Sequence, residues 1–423
     1  MGTKFKIIIL MLCLTSYPAW GAESEQLPGA DVEGLLALVQ KQNPELVAMR
    51  LEADAAADRA GSAGALPDPT LRVALIDFTN ISSGAAASLL PSRVGSTYYR
   101  VMQALPFWGK RGLQRDIAEA EASLAQGRTG ITLAELLAKT KTDFAQYYLI
   151  DHSLRLTQEI HDLTLNLERI AQSRYATGLA PQQDAIRAQV EQTGLRRDLV
   201  MLETERHHSM TRLNTLLLRA PSAPLAEPQR LRVLPAPAKV EFSILAERLK
   251  NSNPQLFTLD VQLAAADKNR DLAFKNRYPD FTLGVGSMQM KNEITAWELM
   301  VDVNIPLQQG ARRAQEREAE SMLAAARARK EAAASQLLGD LAENISALNA
   351  ARRIEMLAAS SLLPQAEAMR QAAYVGYQNG KVDFATLLDA QRQILKARLD
   401  VLNAQAQAQT SLAQIERLLG EEL

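Results

Sequence analysis

The stretch SRYATGLAPQQDAIRAQ, Ser173 to Gln189, interrupts a chain that reads as helix for dozens of residues on either side. It has a relative about two hundred residues on, VGYQNGKVDFATLLDAQRQ, Val375 to Gln393. In each, a Tyr is followed three residues later by a Gly, Tyr175 by Gly178 and Tyr377 by Gly380. Each also ends in an Ala-Gln pair, Ala188-Gln189 and Ala390-Gln391. Glycine supplies the permissive backbone that a helix stop requires, and Pro181 suits the first residues of a new helix. Two matched breaks imply that the chain executes one plan twice.

The rest of the sequence repeats in step with the breaks. Asn43-Pro44-Glu45-Leu46 returns as Asn253-Pro254-Gln255-Leu256, and LPDPTLRV (Leu66 to Val73) as YPDFTLGV (Tyr278 to Val285). ALPFWGKRG (Ala104 to Gly112) returns as NIPLQQGARR (Asn304 to Arg313). Internal repetition on this scale is read before anything else, because it sets the architecture. Both copies run helix, strand, strand, very long helix, break, helix. The proline-rich RAPSAPLAEPQRLRVLPAPAKV, Arg219 to Val240, cannot continue a helix and reads as a linker. The expected organisation is a first repeat over 22–218, a linker over 219–240 and a second repeat over 241–423.

The strands are short and alternating. Trp297 to Ile305 puts apolar residues at odd positions and polar ones at even positions, Met300 excepted. Tyr99, Val101 and Leu105 alternate less strictly with Tyr98, Arg100 and Met102, and 70–79 and 281–290 are weaker still. Each matches the roughly 9–11 residues of a tilted outer-membrane strand. Periodicity alone is equally met by two soluble β-hairpins packed on helices. Counting separates the two. Four strands cannot close a barrel, and open edges are not tolerated in lipid, so a membrane-embedded chain of this kind must pool its strands with others. Three chains would make twelve strands around an open lumen.

Leu113 to Thr177 and Arg312 to Asn379 contain no proline except Pro364, and at 1.5 Å per residue each would span about 100 Å. One globular core needs no helix so long. The segments mix small, apolar and charged residues, as suits a helix with close neighbours on two sides and one wet face. A long soluble coiled coil would account for these helices, but not for the hairpins.

The chain opens as an export signal: Lys4 and Lys6, the apolar Ile7 to Leu14, and the small-x-small Ala19-Trp20-Gly21, with cleavage expected after Gly21. The only cysteine, Cys13, falls inside it, so no disulfide is expected in the exported chain. The formal net charge of −1 becomes −3 once Lys4 and Lys6 are removed, which gives no ground for nucleic-acid binding. No later apolar run approaches the roughly 20 residues of a membrane helix.

With these elements in hand, the sequence resembles the TolC-like outer-membrane efflux factors over nearly the whole exported chain, most specifically in element order and in RYATGLAPQQD. The resemblance implies a mainly α fold with β: long helical hairpins forming a periplasmic α-barrel, plus four strands per chain in a shared trimeric twelve-stranded outer-membrane β-barrel. It implies an exit duct of a tripartite export system that docks a periplasmic adaptor and an inner-membrane pump of the resistance–nodulation–division type. The breaks then lie at the periplasmic mouth. Gly178, Leu179, Ala180, Gly380, Lys381 and Val382 become candidate adaptor contacts, with ordinary exposed turns as the plainer reading.

The same resemblance implies a gate. Tyr377 and Asp184 match a latch pair, and Asp389 matches a position in a ring of carboxylates, where three copies of a like charge would invite cations. Thr386 stands where a second acidic ring would be, and Val382 where a latch arginine would be. Lys381 and Arg174 are the basic residues at hand. PFWGKRG (Pro106 to Gly112) lacks the earlier Gly and the following Ser or Thr of a phosphate loop. It is similar instead to a turn in family members serving heavy-metal pumps, as is NTLLLRAPSAPL (Asn214 to Leu225). Heavy-metal cations are therefore the preferred cargo, with drug efflux, type I protein secretion and a soluble periplasmic scaffold as alternatives.

No catalytic, cofactor or resident metal site is expected. His207 and His208 point apart on a helix, His152 and His161 are nine residues apart, and no nucleophile–base motif is present.

Overall fold

The computed structural model describes residues 27–423 apart from 82, 83 and 85. The expected export signal, with Cys13, lies outside the described residues. The first series of elements is α1 (Val32–Gln42), α2 (Pro44–Ala63), β1 (Thr70–Ile76), β2 (Ser96–Leu105), α3 (Lys110–Ala176) and α4 (Gln182–Leu216). The second is α5 (Phe242–Ser252), α6 (Pro254–Lys275), β3 (Asp280–Met290), β4 (Glu293–Asn304), α7 (Gln309–Leu357), α8 (Leu363–Gln378) and α9 (Phe384–Leu419). The mainly helical fold with four strands is the expected class. α3 alone has 67 residues, about 100 Å of helix. Among the described residues no helix is long and apolar enough to cross a membrane.

Three boundaries differ from the sequence reading. β1 stops at Ile76 rather than running to 79, because Asp77 takes a left-handed φ of 53° that turns the chain out of the strand. β4 starts at Glu293 rather than 297, paired to β3 across a tight turn at Lys291, whose φ is 54°. The helix expected over 312–379 is interrupted by a π turn at Ala358–Leu362 just ahead of Pro364. Proline has no N–H to donate and its ring crowds the carbonyl four residues back, so a widened turn absorbs it inside the helix.

The two Asn-Pro motifs do identical work. Asn43 caps α2, its Oδ1 accepting from the N–H groups of Glu45 and Leu46, while its Nδ2 donates to the carbonyl of Leu216 at the end of α4. Asn253 caps α6 through the N–H of Leu256, and its Nδ2 donates at 2.6 Å to Leu418 O at the end of α9. Each buried Asn thus ties the start of one helix to the finish of another, and the proline occupies a position where no N–H is needed. Around each tie lies an apolar core. One joins Leu35, Val39 and Leu46 to Phe144, Tyr147 and Leu213. The other joins Leu245, Leu249 and Leu256 to Leu341, Leu348 and Ile415.

A buried ion network holds the two halves together. Glu416 on α9 is 4% exposed and accepts at 2.8 Å from Lys141 on α3, itself 6% exposed, and at 2.6 and 2.8 Å from the two terminal nitrogens of Arg232 in the connecting segment. Lys141 also meets Glu422 at 2.8 Å. Burial alone would raise the Glu416 carboxyl, but the Arg232 guanidinium and the Lys141 ammonium outweigh it and hold the group below its ordinary range.

The sheet is antiparallel in the order β1-β2-β3-β4, so β1 and β4 are its edges. One face is apolar and open, with Leu71, Val101, Val285, Trp297, Leu299 and Val301 each more than half exposed. The other carries the Arg100–Glu298 ion pair at 2.9 Å, laid across β3 above Gly286, where an added Cβ would come within 2.7 Å of Arg100 Cγ. PFWGKRG pins the base of the sheet. Lys110 is buried and donates to Asp280 at 2.9 Å, Phe107 stacks on Tyr278 at 4.5 Å, and Arg111 donates twice to Gly64 O. Gly109 permits this turn with a φ of 89°. Trp108 stands 76% exposed, 6.0 Å ring to ring from Phe281.

Removing one partner from a buried ion network strands the others, at a cost of about 3–5 kcal/mol. Glu416→Gln should lower the unfolding free energy of the purified protein, read from denaturant titration, by that amount, leaving Lys141 and Arg232 without their shared anion. Because the folded carboxyl titrates below its unfolded value, its contribution is complete above the ordinary carboxylate range and drains away as pH falls through the lower folded value. The wild type should therefore lose stability on acidification more steeply than Glu416→Gln, as read by thermal melts across that range.

Candidate functional site at the helix tips

The two breaks are built alike from the backbone upward. At the end of α3, Gly178 N–H donates to Tyr175 O at 3.0 Å and Leu179 N–H to Arg174 O at 2.7 Å. At the end of α8, Gly380 N–H donates to Tyr377 O at 3.1 Å and Lys381 N–H to Gly376 O at 2.8 Å. This paired pattern closes a helix through one left-handed residue. The glycines supply it, with φ of 71° at Gly178 and 67° at Gly380. Nothing lies within 4 Å of a Cβ added at either, so backbone conformation and not crowding selects glycine there.

The structure brings both tips together. Arg174 crosses from one to the other, donating at 3.1 Å to Gln378 O and lying 4.9 Å above the Tyr377 ring. Tyr377 is buried against Phe384, ring to ring at 5.3 Å, in a small core with Leu167, Ala171, Ala188 and Leu387. Among the described residues its hydroxyl has no hydrogen-bond partner, and neither does the Nε of Arg174. Asp184 is buried beside this cluster. Burial raises its carboxyl above the ordinary range, with Asp383 adding to the rise and Arg187 and Arg174 opposing it. Burial likewise raises the Tyr377 phenol, and the nearby Asp184 raises it further. Tyr377 and Asp184 are thus electrostatic neighbours, with no hydrogen bond between them in one chain.

The other candidates fall on the surface. Leu179 is 69% exposed, Lys381 is exposed and Ala180 half-buried. Val382 folds back over Gly376, where an added Cβ would approach within 3.0 Å of its Cγ2. Thr386 is tied to the start of α9, its N–H and hydroxyl both donating to Asp383 at 2.8 and 2.6 Å. Those two bonds hold the Asp383 carboxyl below its ordinary range. Asp389 is exposed and lies 3.5 Å from Arg392, which also engages Glu191 on α4. Sequence reasoning missed Phe384 and Asp383. The D-F-A-T run beginning a helix, with a capping Asp three residues before Thr386, was the available signal.

Comparison with known proteins follows the geometry. The sequence matches the outer membrane efflux protein family over residues 35–217 and 245–421. A search of functionally characterised proteins by sequence returns no match. Among solved structures, the channel-forming protein CusC superposes with a TM-score of 0.80 at 16% identity, over 97% of this chain and 96% of its own. A membrane protein from Pseudomonas aeruginosa gives 0.80 at 18% identity, covering 94% and 92%. The outer membrane protein VceC from Vibrio cholerae gives 0.78 at 17% identity, covering 92% and 96%. At such identities the likeness carries the fold.

A β-branched residue at Gly380 should be strained by about 1–2 kcal/mol, the usual penalty for a left-handed L-residue, and Asn should cost less. Hydrogen exchange over 376–384 should accelerate in Gly380→Val and stay near wild type in Gly380→Asn. Protection in the Asn43 and Asn253 cores should be unchanged in both.

Proposed function

The chain belongs to the outer membrane efflux protein family, and on that premise we propose that three copies form the exit duct of a tripartite efflux system, with the sheet in the outer membrane and the helices in the periplasm. The observation that carries this reading is the sheet itself: a wide apolar face, a polar reverse face and two unpaired edges. Such a sheet is stable in lipid only when the edge β1 of one copy pairs with the edge β4 of the next until the ring closes. Pooling three sheets of four strands gives a barrel with room for a water-filled lumen.

The helices extend that lumen as a tunnel. The paired tips then sit at its far end, where a periplasmic adaptor and an inner-membrane pump would engage Leu179, Ala180, Lys381 and Val382. Solute would pass without chemistry, the energy coming from the pump. Tyr377 and Asp184 act as the latch of the closed mouth. The buried Tyr377 hydroxyl lacks a partner among the described residues of its own chain, which fits a bond completed by a neighbouring copy. Asp389 contributes an exposed carboxylate near the mouth that three copies would repeat. Heavy-metal cations are the proposed cargo, on the similarity of the PFWGKRG turn to that of metal-efflux members.

Tyr377→Phe should leave the stability of the chain unchanged, since it removes a buried hydroxyl that has no partner among the described residues. Combined with Asp184→Ala, it should raise single-channel conductance in planar bilayers. Unchanged conductance would remove the latch assignment. Deleting the gene from its host should lower tolerance to heavy-metal salts and leave tolerance to hydrophobic drugs intact, and the reverse pattern would reassign the cargo.

A further inference from the structure

All four methionines of the sheet, Met102, Met288, Met290 and Met300, lie on its polar face, and none lies on the apolar face. That distribution opposes simple packing, because leucine, valine and tryptophan fill the apolar side while thioethers take the side that carries the Arg100–Glu298 pair. Two of them converge. Met102, Gly284 and Met300 stand side by side on β2, β3 and β4. A Cβ added at Gly284 would meet Met102 Cγ at 3.2 Å and Met300 Cε at 3.1 Å, so both side chains fold over the bare glycine from opposite sides. Met102 is buried and Met300 half-buried, so Met300 is the more accessible of the pair. Asp302 stands two residues along β4 on the same face.

Among the described residues no three His, Cys, Asp or Glu side chains gather as a metal site, so a hard or borderline divalent cation finds no cluster of its usual ligands. Thioethers are soft ligands and select monovalent copper or silver. We propose that Met102 and Met300, folded over Gly284, form a transit site for a soft monovalent cation on the lumenal wall of the barrel. The inference rests on the duct reading above, which makes this face the lumen, and it narrows the cargo to soft cations. Two thioethers hold such an ion weakly enough to release it, as a conduit requires. The rival role for the pair is to fill space above a glycine, a use to which methionine is well suited.

The test is titration of the purified, detergent-solubilised protein with silver nitrate in chloride-free buffer, by calorimetry, with X-ray absorption at the silver edge. The site predicts saturable binding of one ion per chain with sulfur scatterers, weakened at least about tenfold in Met102→Leu/Met300→Leu. Leucine conserves volume, and Met300→Leu alone, at the more exposed position, should weaken binding in the same direction. Met322→Leu, an exposed methionine on α7, should bind silver as the wild type does. Equal binding by the double variant, or a silver spectrum without sulfur, would overturn the site. Pore conductance of the same preparations in planar bilayers separates the two claims. Pores without sulfur-bound silver overturn the site alone, whereas a wild type that forms no pores overturns both.

Discussion

Backbone N–H and C=O groups left unpaired in hydrocarbon each cost several kcal/mol, and a sheet edge presents a whole row of them. β1 and β4 both carry such a row, next to a face whose exposed Leu71, Trp297 and Leu299 gain nothing from water. The chain therefore cannot satisfy its own sheet in a membrane, and each proposed feature of the assembly follows from that. Closure of the ring supplies the missing pairs. The polar reverse face becomes a lumen, and helices rooted at the sheet's base become the staves of a tunnel.

What roots them is a set of contacts between segments far apart in the chain. Lys110 and Phe107 hold the start of α3 against Asp280 and Tyr278, so the long helix of one half begins on the strand of the other. Below the sheet, Asn43 and Asn253 clasp the ends of α4 and α9, and Glu416 gathers cations from α3 and the connecting segment. At the far end, the tips share one small core and the Arg174 crossing. A helix about 100 Å long is thus anchored at its root, middle and tip, as the proposed duct wall would require.

Much of this was legible in the residues. Gly178 and Gly380 announce left-handed helix ends wherever they occur, and the Asn-Pro pairs announce capped helix starts, because these are local conformational demands. The alternation at Trp297 to Ile305 marked a strand of a local hairpin, yet the pairing of that hairpin's β3 with β2 joins residues such as Val285 and Val101, far apart in the chain. The same holds for the tip. That a Tyr, a Gly and an Asp recur around each break could be read directly. That Tyr377 is buried on Phe384 beneath Arg174 could not, since it depends on how two hairpins pack. Thr386 stood out as a gate position by resemblance, and only its bonds to Asp383 show it also serving as part of a helix cap. The π turn before Pro364 escaped for a related reason: proline predicts a fault in the helix, and the surrounding packing decides whether the helix stops or widens.

The central claim is that the sheet is one third of a barrel. Native mass spectrometry of the protein extracted from outer membranes in mild detergent tests it most directly. Edge pairing between copies predicts three chains per particle in the membrane fraction. A single chain recovered from the soluble periplasm would contradict it, and would make the hairpins ordinary sheet packed on a soluble helical scaffold.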